Sequence, residues 1–331
     1  NTVPLENEEA YFFRLQEPTS FQTETLRSNE FVAFLQESAS KTALIEPSFH
    51  SILRKGKVVI AKEKIQSIYQ STPQLPMIER LQATKKRLIN EWESQLIRNA
   101  KKNHLQDQVL ALSEQQQQRY FGHLIEDDSP SSIQKYTEQL LRTRYQVVDE
   151  QLKQNSWIDE DQFLEHYYTA FTQQHYLKHS TITLDEAVIR LFNRHLFIEK
   201  LPVASLAFLL IDEIQDYTPA QCTLLLTLFP RAAFTMVGDE NQAIFNSAID
   251  FREIQEIFEA NNQSVTRYDL RTSYRSSGEI TKLFAKLANH TTMSIMPVRP
   301  AGEPPRFIRF ENELEWLATI TPFIKKGRQY T

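Results

Sequence analysis

Apolar and polar positions alternate with two different periods along this chain, and the change comes near residue 183. Between residues 76 and 105, Leu81, Leu88, Trp92 and Leu96 fall on one stripe at helical spacing. Arg80, Lys85, Lys86, Arg87, Arg98, Lys101 and Lys102 occupy the rest of that helix. Ser129-Pro130, a capping residue followed by proline at the first helical position, opens a second long helix carrying Ile133, Tyr136, Leu140, Val147 and Val148. Thr183-Leu-Asp-Glu186 reads as a capping box that starts a helix running to about Phe197. Ahead of these, residues 1–70 are mixed, with a helix expected over 30–37 and an extended Val-Val-Ile run at 58–60.

Beyond residue 183 the apolar residues come in short unbroken runs. Residues 206–211 and 233–237 are two such runs, the first ending in acids and the second in Gly-Asp. Both read as buried parallel strands whose carboxyl ends meet a ligand, joined by a crossover helix over 219–228. Further short strands are expected at 264–270 and 306–310, with a helix over 277–289 between them. The fold class is therefore α/β, with a large helical subdomain set into it.

Composition narrows the function. With 331 residues and 41% hydrophobic side chains the chain is long enough for two domains, each with its own core. No apolar run is long enough to span a membrane, and the polar start at Asn1 is unlike a secretory signal, which predicts a cytoplasmic protein without membrane contact. Cys222, the single cysteine, lies in an apolar stretch and reads as a buried structural thiol. The net charge of −5 means that any nucleic-acid contact must come from a local basic surface. None of the six glycines has the spacing of a phosphate-cradling loop, whether G-x-x-x-x-G-K-[ST] or G-x-G-x-x-G.

Three clusters carry candidate chemistry. Leu-Leu-Ile-Asp-Glu-Ile-Gln-Asp, 209–216, delivers adjacent acids at a strand tip. There one carboxylate can hold Mg²⁺ against nucleotide phosphates and the next can orient or deprotonate water. A bare Asp-Glu pair is far more often a solvated strand end. The second cluster, Gly-Asp-Glu-Asn-Gln at 238–242, ends the other strand and offers Gln242 to a terminal phosphate or a water. The third, Ser-Tyr-Arg-Ser-Ser-Gly-Glu-Ile at 273–280, offers Arg275, whose planar fork suits a phosphate.

In this order and spacing the three clusters resemble motifs II, III and IV of the UvrD-like superfamily 1 helicases, over roughly residues 203–290. The resemblance implies a partial RecA-like, P-loop-NTPase sheet with an inserted helical subdomain. It also implies ATP and Mg²⁺ as cofactors and DNA, single-stranded or duplex, as partner. By it Asp212 would ligate Mg²⁺, Glu213 would activate water, Gln242 would couple phosphate state to the strand track, and Arg275 would touch the γ-phosphate. Asp212, Gln242 and Arg275 would together hold the nucleotide, and Phe245 would stack on nucleic acid. The implied layout is a partial first-lobe segment at 1–70, a helical arm at 71–182, the first-lobe core at 183–290 and the start of a second lobe at 291–331. The family's Walker A loop would precede this chain and motifs V and VI would follow it, so the chain reads as an internal piece of a motor, inactive by itself.

Departures from the family pattern point to a branch. After motif III, Phe245-Asn-Ser-Ala248 keeps one ring where strand-separating members carry an aromatic-arginine step. The Ser-Tyr-Arg form, the Asp-Tyr-Thr after the base and the long helical stretch resemble the HelD, helicase IV-type branch, which includes motors acting on RNA polymerase. A third reading makes the chain a non-catalytic interaction module, but acids clustered at a sheet edge cost stability when nothing uses them. Two other features carry less. His175 and His179, with His166 nearby, have the spacing of a helical metal pair but no carboxylate in a ligand pattern. The basic face at Lys85, Lys86, Arg87, Lys101 and Lys102 is interleaved with Glu91 and Glu93, as a solvated face is.

Overall fold

The computed structural model describes residues 4–7, 9–10, 19–40, 45–202, 205–239, 250–270, 272–274, 276–287, 296–307 and 309–327. These are mostly helical, with small two-stranded sheets, and they fall into two compact units, Asn1–Ser264 and Val265–Thr331.

The first unit opens with α1 (Phe21–Arg27) and α2 (Asn29–Ser40), followed by a hairpin of β1 (Ile52–Arg54) and β2 (Lys57–Ile60). Its turn is Lys55-Gly56, with φ of 48° and 75°, the left-handed pair that matches the twist of a two-residue hairpin. After α3 (Lys62–Gln70) come α4 (Met77–Ala100), α5 (Asn103–Leu110), α6 (Glu114–Phe121) and α7 (Pro130–Lys153), within the segment read as an arm. The expected stripe of Leu81, Leu88, Trp92 and Leu96 is buried where α4 packs along α7. Trp92 Nε1–H donates to Asp149 Oδ1 at 2.7 Å, and its ring meets Tyr145 edge-on.

Proline at N1 and the Ser129 hydroxyl, accepting from the Ser132 N–H, start α7 as the sequence implies. Ile133, Leu140 and Val148 are buried on it, but Val147 is exposed. Adjacent helical positions lie about 100° apart, and Val148 holds the inward one. One continuous core runs from Leu26 through Trp92, Trp157 and Phe192 to Leu224, so residues of 1–70, of the arm and of the segment after 183 share it. Val109, Phe121 and Leu140 form a satellite cluster between α5, α6 and α7.

Helix α8 (Glu160–Thr172) stops at Gln173, whose φ is 61°. His175 therefore lies outside the helix, and the i, i+4 helical face that suggested a metal pair with His179 does not form. Helix α9 (Leu184–Asn193) runs on through a π-helical turn, Arg194–Ile198. The Thr183 hydroxyl accepts from the Glu186 N–H at 3.1 Å, while the Glu186 carboxylate pairs with Arg190, at 2.7 Å, instead of closing the box. The basic face of α4 is partly neutralised by Lys85–Glu199 and Arg87–Glu91 ion pairs, at 3.1 and 3.0 Å.

Strands β3 (Phe208–Ile211) and β4 (Ala233–Met236) pair in parallel, Ile211 opposite Met236, joined over α10 (Pro219–Leu228). Parallel neighbours need such a crossover. Helix α10 is apolar all round because it packs against α1, α2, α9 and α11 (Phe251–Ala260). Cys222 is buried within it, and burial pushes its thiol up to about 12. The strands are not buried on both faces as expected. Phe208 and Leu210 are 74% and 79% exposed, and in the described residues no element covers that face.

In the second unit, β5 (Thr272–Ser273) pairs in parallel with β6 (Met296–Pro297), with α12 (Gly278–Leu287) between them and α13 (Glu313–Gly327) after them. The strands expected at 264–270 and 306–310 do not form among the described residues. Tyr268, Leu270 and Phe307 there are exposed, so apolar character had no partner strand to act on.

Candidate functional site

The carboxyl ends of β3 and β4 finish level with each other, which places Asp212 and Glu213 beside Gly238 and Asp239. The chain leaves β3 through a sharp reversal. Glu213 has φ 51° and ψ 46°, a left-handed conformation that costs a non-glycine residue on the order of 1 kcal/mol or more. It is held by three backbone bonds: Val237 N–H to Ile211 O at 2.9 Å, Ile214 N–H to Val237 O at 3.0 Å, and Asp216 N–H to Glu213 O at 3.0 Å. The second of these fastens the turn to the end of β4. A 3₁₀ turn, Ile214–Asp216, then leads to Thr218, which opens α10 with a complete capping box: the Thr218 N–H donates to Gln221 Oε1 at 2.9 Å and the Gln221 N–H donates back to Thr218 Oγ1.

Asp212 and Glu213 are exposed at the tip, and Asp212 Oδ1 accepts from the Glu213 N–H at 3.0 Å. Between them and β4 lies Gln215, only 2% exposed. Its side-chain amide donates to Glu213 Oε2 at 2.6 Å, and its Oε1 accepts from the Asp239 N–H at 3.0 Å. Asp216 is half-buried, and among the described residues its Oδ1 has no hydrogen-bond partner. Burial, and then the nearby Glu213 carboxylate, push its carboxyl above the ordinary aspartate value. Gly238 is required by packing: a Cβ there would drive into Gln215 Oε1 and come within 2.9 Å of Ile214 Cγ2.

Of the residues the sequence singled out, Asp212 and Glu213 share this tip. Gln242 and Phe245 follow Asp239 in the chain but lie outside the described residues, as does Arg275. Gln215 stands in the same motif, just after the acids, but the sequence gives it no role; its signal is a buried amide between two polar groups, which appears only in three dimensions. A metal fits in one way. Among the described residues no group of three or more His, Cys, Asp or Glu could form a protein cage. Mg²⁺ bound by one carboxylate, phosphate oxygens and water needs only the exposed Asp212. A cavity of about 810 Å³, lined by Lys64, Lys86, Arg87 and Arg98 beside Trp92, lies against α4 and shares no residue with this tip.

No helix among the described residues is long and apolar enough to cross a membrane. The sequence profile of the UvrD/REP helicase N-terminal domain matches residues 32–253, about two thirds of the chain, which takes in Asp212, Glu213, Gln242 and Phe245 but not Arg275. No curated protein matches the chain.

Proposed function

Because the chain belongs to the UvrD/REP helicase family, through its N-terminal domain, we propose that it is part of an ATP-dependent superfamily 1 motor moving on DNA. The observation that carries this is the level ending of two parallel strands, which brings the Asp212-Glu213 pair beside Gly238 and Asp239, with Gln215 bridging Glu213 and Asp239. In this reading residues 1–70 and 183–290 build a RecA-like first lobe, 71–182 its inserted arm, and 291–331 begin a second lobe. Asp212 holds Mg²⁺ and Glu213 orients and deprotonates the attacking water; Gln242 and Arg275 contact the terminal phosphate, and Phe245 stacks on a base. Bound Mg·ATP supplies the phosphoryl group that water accepts.

A second reading, a HelD-type motor that displaces or recycles RNA polymerase, is favoured by the all-helical arm, α4 to α7, and by the single ring at Phe245. Phosphate release by the full-length protein separates the two, measured without stimulant, with single-stranded DNA and with RNA polymerase, wild type beside Glu213→Gln. Stimulation by DNA with loss of turnover in the variant supports the DNA motor, and stimulation by polymerase alone supports the second reading. Turnover that ignores Glu213→Gln refutes the motor assignment.

A further inference from the structure

The groups around Gln215 demand a glutamine. Glu213 Oε2 is an acceptor, the Asp239 peptide presents a donor, and the two sit at opposite ends of one side-chain amide, at 2.6 and 3.0 Å. An amide plane has one donor end and one acceptor end, so this pairing also fixes which way it faces; the flipped orientation would set carbonyl against carboxylate and N–H against N–H. Asparagine is a methylene too short to span the same gap, glutamate would set a second carboxylate against Glu213, and leucine would offer neither a donor to Glu213 nor an acceptor to the Asp239 N–H. The side chain is buried, where a bridge of this kind is stiff and an unpaired end is costly. Gly238 leaves the room that Gln215 Oε1 occupies.

We propose that Gln215 is the positioning residue of this site, a bridge that sets the Glu213 carboxylate and ties it to the Gly238–Asp239 peptide beyond the end of β4. The reorientation of either end is felt at the other, because one rigid amide joins them. Its catalytic consequence rests on the motor reading, in which Glu213 acts on water and Gln242 follows Asp239 in the chain; the bridge itself does not. Gln215 touches no reacting atom, and it acts through Glu213.

The bridge is tested first in the 331-residue chain without nucleotide, by amide hydrogen exchange. Gln215→Leu keeps the bulk and removes both bonds, and it should speed exchange of the Asp239 amide about ten-fold or more, with α10 unchanged. Gly238→Ala should do the same by displacing Gln215 Oε1, and the double variant should add nothing further. Gln215→Glu keeps the acceptor and should leave Asp239 protected. In the full-length protein, Gln215→Leu and Gln215→Glu should both lower kcat on the order of 10- to 100-fold with KM for ATP unchanged, as a misplaced base does. Unchanged exchange at Asp239 in Gln215→Leu overturns the bridge. Wild-type kcat in Gln215→Leu, beside an inactive Glu213→Gln, overturns the positioning role. If Glu213→Gln itself keeps turnover, the motor reading fails and takes the positioning role with it, while the exchange result still decides the bridge.

Discussion

Trp92 joins the arm's two long helices through one charged hydrogen bond, and replacing it by phenylalanine isolates that bond. The ring is 3% exposed, its Nε1–H donates to Asp149 Oδ1 at 2.7 Å, and Tyr145 packs edge-on against it at 5.4 Å. Phenylalanine keeps most of the aromatic contact but leaves the half-buried carboxylate without this donor. A hydrogen bond to a charged group contributes about 1.5–3 kcal/mol, and the space left by the lost pyrrole ring adds roughly 1 kcal/mol. The total is about 3 kcal/mol, which at an m-value of about 3 kcal/mol/M lowers the urea midpoint of the first unit by about 1 M. The assay is urea unfolding followed by far-UV circular dichroism, with Asp149→Ala and the double variant completing a cycle. The two single changes should be non-additive by about 1.5–3 kcal/mol. A Trp92→Phe midpoint within about 0.2 M of wild type would refute the reasoning, since the indole N–H would then contribute nothing.

Asp216→Asn should stabilise the protein at neutral pH. A carboxyl whose folded pKa is raised is more protonated in the folded state, so its cost is absent below the ordinary aspartate value, near 3.9, and full above the folded one. The gain in Tm should therefore vanish toward pH 3. Glu199→Gln should show the opposite signature. Burial pushes Glu199 up, but hydrogen bonds from Arg194, Asn155 and Lys85 outweigh it and hold the folded pKa below the usual glutamate range. Its stabilisation is complete above about pH 4.3 and lost as pH falls through the folded value, so the variant melts lower at neutral pH and converges on wild type in acid. Thr218→Ala removes the capping hydroxyl of α10 and should cost about 1 kcal/mol in the same melts. Calorimetry on the 331-residue chain should detect no Mg·ATP binding, since its glycines cannot form a phosphate cradle; a micromolar affinity would contradict this.

Local chemistry was the legible part of the fold. Ser129-Pro130 starts its helix where it stands, because a cap and a proline act on the backbone next to them. The runs at 206–211 and 233–237 hold the parallel strands Phe208–Ile211 and Ala233–Met236, and the crossover helix spans Pro219–Leu228 as expected. Long-range partners were not legible. Apolar character at 264–270 does not reveal whether a strand lies alongside, and the period of α7 does not say whether Val147 or Val148 faces inward. Glu186 had two uses, and a salt bridge to Arg190 won over the box. At the candidate site the sequence pointed to the exposed acids, whose chemistry can be named from residue type. It gave no role to Gln215, whose importance comes from lying between Glu213 and Asp239, 26 residues apart in the chain.

The bare face of β3 has a practical consequence for anyone handling this chain in a tube. Phe208 and Leu210 project side by side from it, Leu206 and Val237 are exposed nearby, and among the described residues β3 and β4 hydrogen-bond only to each other. Exposed apolar side chains above open peptide edges invite self-association, so turbidity and dye uptake should climb with protein concentration while every hydrogen bond of the helical core stays intact. Charged replacements at those two positions, Phe208→Lys and Leu210→Glu, would be the first changes to make for soluble stock.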